Sequence, residues 1–338
     1  MNRELARKVA DAVLYEGYML YPYRPSAIKN RQRWSFGILY PPAYPEVKLG
    51  TERFFMHSEC LLEATPEATV QIQLRFLHLD PRQYAKYTDG RFEPMPSLIV
   101  DGQLFESWDQ PAERSLNFHV ESLASPQHFP FAFPGSTQTE PLLDRAGQVA
   151  GNVTRTQHEV NGSVSVSAET IDGSYHKLII DVRNATQMTE SVSDRDSALL
   201  DSLLSAHVIL TATNAQFVSL LDPPASIRDV VSGCRNIGNF PVLVGSAPER
   251  EMLLCSPIVL YDYPQIAPES ASDFYDATEI DEMLTLRVMT LTDDEKNAMR
   301  HADDHVRNLL QRTEQTAREQ LIKTHGTIRS MRPVSEQP

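Results

Sequence analysis

Between Val153 and Thr186 the chain reads VTRTQHEVNGSVSVSAETIDGSYHKLIIDVRNAT, three runs rich in β-branched residues separated by Asn161-Gly162 and Asp172-Gly173. Such dipeptides supply the positive φ angles of tight hairpin turns, and β-branched side chains favour a pleated surface. The segment is therefore expected to be a three-stranded antiparallel meander. VQIQLRFLHL (Val70 to Leu79) alternates in the same sense, with Val70, Ile72, Leu74 and Phe76 on one face of a half-buried strand. Asp-Gly pairs at 89–90 and 101–102 mark further turns, and Ala206 to Pro224 supplies a strand ended by Pro-Pro. Beyond it, NFPVLVG (Asn239 to Gly245) and LLCSPIVLYDY (Leu253 to Tyr263) have the look of short buried strands.

Proline reinforces this reading, because 23 prolines against 14 glycines exclude long uninterrupted helices and imply edges, loops and rigid turns. Helices are expected at the two ends. Leu5, Val9, Ala12 and Val13 stand at helical spacing within residues 3–14, and Glu279 to Leu291 repeats the pattern. Thr292 followed by Glu295 reads as a capping box opening another helix. The fold class that results is α+β: a mainly antiparallel, β-sandwich-like region with an N-terminal helix and a C-terminal helical segment. The Pro-rich loop expected at 125–150 sets the main boundary. Residues 1–135 hold the helix plus a β-rich domain, 136–265 a second β-rich domain, 266–330 the helical segment and 331–338 a flexible tail.

Hydrophobic residues make up 41% and charged residues 22%, so the chain can bury a core. A net charge of −14 and a pI near 5.2 argue against a nucleic-acid partner, which needs a basic face to neutralise phosphate. Cys60, Cys234 and Cys255 are odd in number and far apart, as suits reduced thiols in a cytoplasm. The N-terminus lacks the apolar core of a secretory signal, and no apolar run of about 18 residues suggests a membrane span. A cytoplasmic location follows as the expectation.

No phosphate loop, dinucleotide fingerprint, nucleophile elbow or Cys-x-x-Cys pair is present, so no enzyme class, cofactor or metal is indicated. His301 and His305 are four apart with Asp304 beside them, but Ala302 stands where a helical zincin needs Glu; a solvated helix face is the default. His57 and Cys60 point to opposite faces of one strand. Cys234 precedes Arg235, whose guanidinium could depress the thiol pKa, yet no histidine lies near it in sequence. The enzyme alternative would use Cys234 or an acidic cluster of Asp262, Asp273 and Asp276 converging in a pocket.

Two charged segments read instead as partner-binding surfaces. Residues 1–33 carry seven bases against three acids, and Tyr21, Tyr23 and Trp34 are interleaved with Arg24, Lys29, Arg31 and Arg33, the residue types enriched at protein interfaces. Residues 269–304 carry eleven acids and three bases, so the stretch from Asp262 through Asp273, Asp276, Glu279, Asp281 and Glu282 could dock a basic partner or simply be a solvated face. The two segments could also pair with each other.

The segments LYEGYMLYPYRPSAIKNRQRWSFGILYP, FVSLLDPP, CRNIGNFPVLVG, SPIVLYDYPQIAPES and TEIDEMLTLRVMTLTDDEK resemble a family of uncharacterised bacterial proteins encoded beside nickel–iron hydrogenase structural and maturation genes. The likeness covers the N-terminal fifth and most of residues 217–296. It implies a cytoplasmic accessory, assembly or maturation protein whose partner is a hydrogenase subunit or maturation factor, and it transfers no catalytic residue. The chain departs from nickel-delivery proteins in having no His-rich tract, GTP-binding loop or zinc knuckle. A structural subunit of a larger complex is a third reading.

Overall fold

The computed structural model describes residues 2–16, 36–188, 194–265, 291–301, 306–308 and 310–311. In chain order the elements are α1 (Asn2–Tyr15), α2 (Pro45–Leu49), β1 (Phe55–Thr88), β2 (Arg91–Met95), β3 (Ser97–Val100), β4 (Gln103–Glu106), β5 (Trp108–Val120), β6 (Gln127–Phe133), β7 (Ser136–Leu143), β8 (Val149–Gln157), β9 (Val160–Asp172), β10 (Tyr175–Asn184), α3 (Arg195–Leu200), β11 (Leu204–Phe217), α4 (Arg228–Ser232), β12 (Phe240–Leu243), β13 (Met252–Ser256) and α5 (Asp293–His301). Strands β3 and β4 form a two-stranded ribbon, and the remaining strands form one 11-stranded antiparallel sheet. The α+β, mainly antiparallel class with a helix at the N-terminus is thus the observed one.

Strand β1 organises the sheet. It pairs successively with β10 (Phe55 to Glu63), β11 (Leu62 to Leu77), β5 (Val70 to Arg82), β8 (Arg82 to Lys86) and β2 (Tyr84 to Thr88). Where β1 advances from Ala64 to Thr69, β11 moves only from Ala215 to Thr213. Thr65, Pro66 and Glu67 form the exposed excess, and a bulge of this kind bends its strand and raises the local twist. The consequence is visible in the aromatics. Phe131 and Phe133 on β6 lie 6.2 and 5.7 Å from Phe76 on β1, and Phe129 stacks on Phe118 of β5 at 5.1 Å. Strand β6 reaches β1 only through β9 and β10, so these contacts require the sheet to fold over into two facing layers, the sandwich-like arrangement.

The alternation read in Val70–Phe76 lines that core. Val70, Ile72, Leu74 and Phe76 are fully buried among Val164, Val166, Leu178, Ile180, Val208 and Leu210, each contributing roughly 1.5–3 kcal/mol relative to exposure. Helix α1 packs on the outside of the sheet, with Ala6, Val9, Ala10 and Val13 against Ile209, Val242, Met252 and Leu254. The buried stripe includes Ala6 and Ala10 while Leu5 is exposed, because two small residues let the helix lie close. At the other end Thr292 and Glu295 form the expected capping box: the Thr292 N–H donates to Glu295 Oε2 at 2.9 Å and the Glu295 N–H to Thr292 Oγ1 at 3.3 Å. Met299 of α5 packs with Leu77 and Leu79.

Asp89-Gly90 and Asp101-Gly102 are turns with positive φ at both residues, 49° and 81° in the first, 51° and 84° in the second. The meander needs correction. Strands β9 and β10 do pair across the turn after Asp172, but β8 pairs with β7 and β1 instead of β9. Asn161-Gly162 is not a turn: it lies inside β9, opposite Phe131 and Ala132 of β6. A Cβ on Gly162 would stand 2.4 Å from Phe131 Cζ and 2.6 Å from the Arg183 carbonyl oxygen, so this glycine answers close packing. The stretch 125–150 is likewise extended chain, not loop. Of its four prolines, Pro130 and Pro141 sit in β6 and β7, each of which pairs with a single neighbour among the described residues, where a missing N–H is tolerated. Ladders of the one sheet join residues on both sides of position 135. Strand β13 stops at Ser256, before Pro257, so Ile258 to Tyr263 is loop. The expected helix at 279–290, the remainder of the helical segment and the tail at 331–338 lie outside the described residues.

Gly162→Ala should destabilise the protein by about 1–3 kcal/mol in urea unfolding, the usual cost of overpacking. Gly173→Ala, where an added Cβ meets nothing within 4 Å, should change stability by less than about 1 kcal/mol. Equal effects at the two positions would contradict this packing.

Candidate functional site

Of the residues expected to bind a partner, the structure describes Asp262; Tyr21, Tyr23, Arg24, Lys29, Arg31, Arg33, Trp34, Asp273, Asp276, Glu279, Asp281 and Glu282 lie outside the described residues, as do the side chains of His301, Asp304 and His305. The loop leading to Asp262 is built in a definite way. Pro257 ends β13, after which side chains alternate: Ile258 and Leu260 pack on the cluster beneath α1, while Val259 and Tyr261 stand 74% and 86% exposed. Tyr261 is the most exposed large hydrophobic residue among those described.

Asp262 fixes this loop to the sheet. Its Oδ1 accepts the Leu243 N–H at 2.8 Å and its Oδ2 accepts the Ser219 hydroxyl at 2.5 Å. The Tyr263 N–H donates to the Leu243 carbonyl at 2.7 Å, and the Tyr263 hydroxyl to the Glu249 carbonyl at 3.0 Å. The outward backbone groups of Leu243, on the last strand of the sheet path, are thereby satisfied, which blunts an edge that would otherwise invite another strand. Ser219 Oγ also accepts the Leu221 and Asp222 N–H groups, tying in a second loop whose Leu221 is 56% exposed. Phe240, opposite Ser256 at the base of the first loop, is 47% exposed. Exposed apolar side chains thus stand on two loops whose backbones are held by hydrogen bonds. Asp262 serves here as the anchor, its carboxylate turned to the sheet.

Cys234 lies elsewhere, on the loop after α4. Asn236 and Asn239 dock that loop on β1: Asn236 Oδ1 accepts the Glu59 N–H at 3.0 Å, and Asn239 Nδ2 donates to the His57 carbonyl at 2.8 Å. Docking brings Cys234 beside Glu59, which accepts the Arg235 N–H at 2.9 Å and lies 3.8 Å from Lys177 Nζ. His57 spans Asp181 at 3.0 Å and Glu59 at 3.2 Å, while Cys60 faces the opposite way into the core, as strand alternation requires. Sequence spacing did not reveal this group, because Cys234 and Glu59 meet only through long-range docking; the two asparagines of CRNIGN were its sole local sign.

The electrostatics run against an activated thiol. Burial pushes the Cys234 pKa up and the Glu59 carboxylate adds to the rise, with Lys177 opposing. Glu59 itself is pushed up by burial, but the Arg235 N–H, His57 and Lys177 outweigh that and hold it below the usual range. The expected depression of the thiol by Arg235 does not occur: the charges that shift Cys234 are those of Glu59 and Lys177, and Arg235 contributes its backbone N–H, donated to Glu59. A second polar group lines one end of β1, where burial, Arg114 and His158 lower His78 to about 4 and burial raises Asp80. His158 is raised by its 2.7 Å contact with Asp201. Among the described residues no three His, Cys, Asp or Glu side chains gather as a metal site, and no helix is long and apolar enough to cross a membrane.

No protein-family model matches the chain, and no curated protein matches it.

Cys234 should react with iodoacetamide at pH 7 more slowly than free cysteine, its rate still rising with pH above the point where the free thiol levels off. Glu59→Gln should lower that apparent pKa. A thiol titrating below an unperturbed cysteine would overturn the arrangement described.

Proposed function

We propose that the chain is an accessory or assembly protein that holds a protein partner, and that the rim formed by Val259, Tyr261, Leu221 and Phe240 is the centre of its contact surface. The observation that carries this reading is the alternation at 258–261. Two residues are sunk into the sheet's outer cluster, two are held out in solvent, and Asp262 locks the register. A tyrosine presented on a fixed backbone gives contact area at little entropic cost, which is how binding hot spots are made. The same loop leads into the acid-rich stretch at 269–304, where negative charge steers and registers a basic partner without supplying most of the affinity.

The partner we propose is a hydrogenase subunit or maturation protein in the cytoplasm. Its support is the resemblance of SPIVLYDYPQIAPES, CRNIGNFPVLVG and the N-terminal segment to proteins encoded beside nickel–iron hydrogenase genes. The first of these contains Val259 and Tyr261 and the second contains Phe240, so the resemblance and the exposed rim fall on neighbouring parts of the chain.

The test is affinity capture from cells producing the intact hydrogenase operon, in mild salt. The full chain should retain a hydrogenase subunit or maturation protein, and Val259→Ser/Tyr261→Ser should retain it at least about tenfold less well, with unchanged thermal unfolding because both side chains are solvent-exposed. Raising the salt should weaken capture by the parent chain. Recovery of neither class of protein, or equal recovery by the variant, contradicts the proposal.

A further inference from the structure

The outer face of β1 carries a cavity that the partner-binding reading does not use. Gln71, Gln73 and Arg75 alternate with the core residues Val70 to Phe76 and so face the other way. Beside them stand Glu113, Ser115 and Asn117 of β5, Ile209 and Thr211 of β11, and Met252 of β13, while Arg3, Ala6 and Arg7 of α1 form the roof. The cleft is open to solvent on one side and has a volume of about 420 Å³, within the size range of small-molecule sites.

Its chemistry is one-sided. Three guanidinium groups, three carboxamides and two hydroxyls face one carboxylate, Glu113, in a chain whose net charge is −14. Arg75 is 3% exposed, and its Nη2 donates to Asp11 Oδ1 and Glu113 Oε1, both at 2.6 Å. Those carboxylates outweigh the effect of burial and keep the guanidinium charged. Its Nη1 is buried with no hydrogen-bond partner among the described residues, a costly state that an additional acceptor would relieve. His207, on the same face of β11, cannot compete for an anion. Its Nδ1–H donates to the Ser205 carbonyl at 2.8 Å, and burial with Arg75 beside it lowers its pKa to about 3, so it stays neutral. At the mouth, Arg3 and Arg7 lie one helical turn apart. Arg7 has a loose 3.9 Å approach to Asp11, and Arg3 has no ion pair among the described residues. Ala6, Ile209 and Met252 supply an apolar wall.

We propose that this cavity binds a small organic polyanion, a molecule carrying two or more carboxylate or phosphate groups on a short carbon frame. One anionic group would meet Arg75 with the Gln73 and Ser115 side chains, a second would meet Arg3 and Arg7, and the frame would lie on Ile209 and Met252. Planar forks of this kind suit oxyanions better than halide ions.

Isothermal titration of the full chain with citrate and with fructose 1,6-bisphosphate, at ionic strength fixed by sodium chloride, tests the site. At least one should bind with one-to-one stoichiometry, while the neutral polyol xylitol should not; citrate binding points to a carboxylate ligand, bisphosphate binding to a phosphate one. Arg3→Gln/Arg7→Gln, at exposed positions, should weaken binding about tenfold without altering thermal unfolding. Ser115→Phe, which fills the cavity and removes no charge, should abolish it. If neither anion binds above the chloride background, or if binding survives Ser115→Phe undiminished, the proposal is wrong.

Discussion

The fold depends on one strand changing partners partway along its length. β1 uses both of its edges, pairing with β10 along Phe55 to Glu63 and with β5 along Val70 to Arg82, while β11 runs beside both parts. Without the bend at Thr65 to Ala68 the two stretches would continue one flat, one-sided sheet. With it, the wing of β10, β9 and β6 turns back over β5, and Phe129, Phe131 and Phe133 find Phe118 and Phe76. Exposed Pro66 suits this position, because the bulge leaves its missing N–H without a ladder partner to disappoint.

The same alternation that closes the core assigns the outside of the molecule. Even-numbered residues of β1 from Val70 to Phe76 are buried; odd-numbered ones from Gln71 to Arg75 form part of the polar cavity under α1. Ile258 and Leu260 dock on the cluster that α1 covers, and Val259 and Tyr261 are left to solvent. Titratable groups are held by partners that set their charge: buried Arg75 is kept charged by Asp11 and Glu113, and half-buried Cys234 is kept protonated by burial and Glu59. The thiol's surroundings are those of a structural residue, whereas the cavity's are those of a receptor for negative charge.

What the amino-acid sequence disclosed was local. The alternation at 70–76, the left-handed turns at 89–90 and 101–102 and the Thr292–Glu295 cap are each decided within a few residues, and each stands as read. Asn161-Gly162 shows where that logic stops: the dipeptide suits a hairpin, but Phe131 from a distant strand needs the space a side chain would take. Pro130 and Pro141 suggested loop because a proline cannot sit in a central strand, and nothing nearby tells that β6 and β7 are edges. The candidate sites were least legible. Arg75 meets Asp11 and Glu113 across 64 and 38 residues, and Glu59 meets Arg235 across 176, so no spacing rule could have joined them. Asp262 was read as an acid for docking, and the structure spends it on Leu243 and Ser219.

The central claim, that the bent β1 welds the chain into a single sheet carrying both outer surfaces, is tested most directly by native-state hydrogen exchange across a denaturant series. Amides of β9 and β10, of β11 and β13, and of β1 on both sides of the bulge should merge into one global opening with a common free energy. Exchange of the β6–β9–β10 wing through a separate, cheaper opening, while Val70 to Leu77 stays protected, would contradict it.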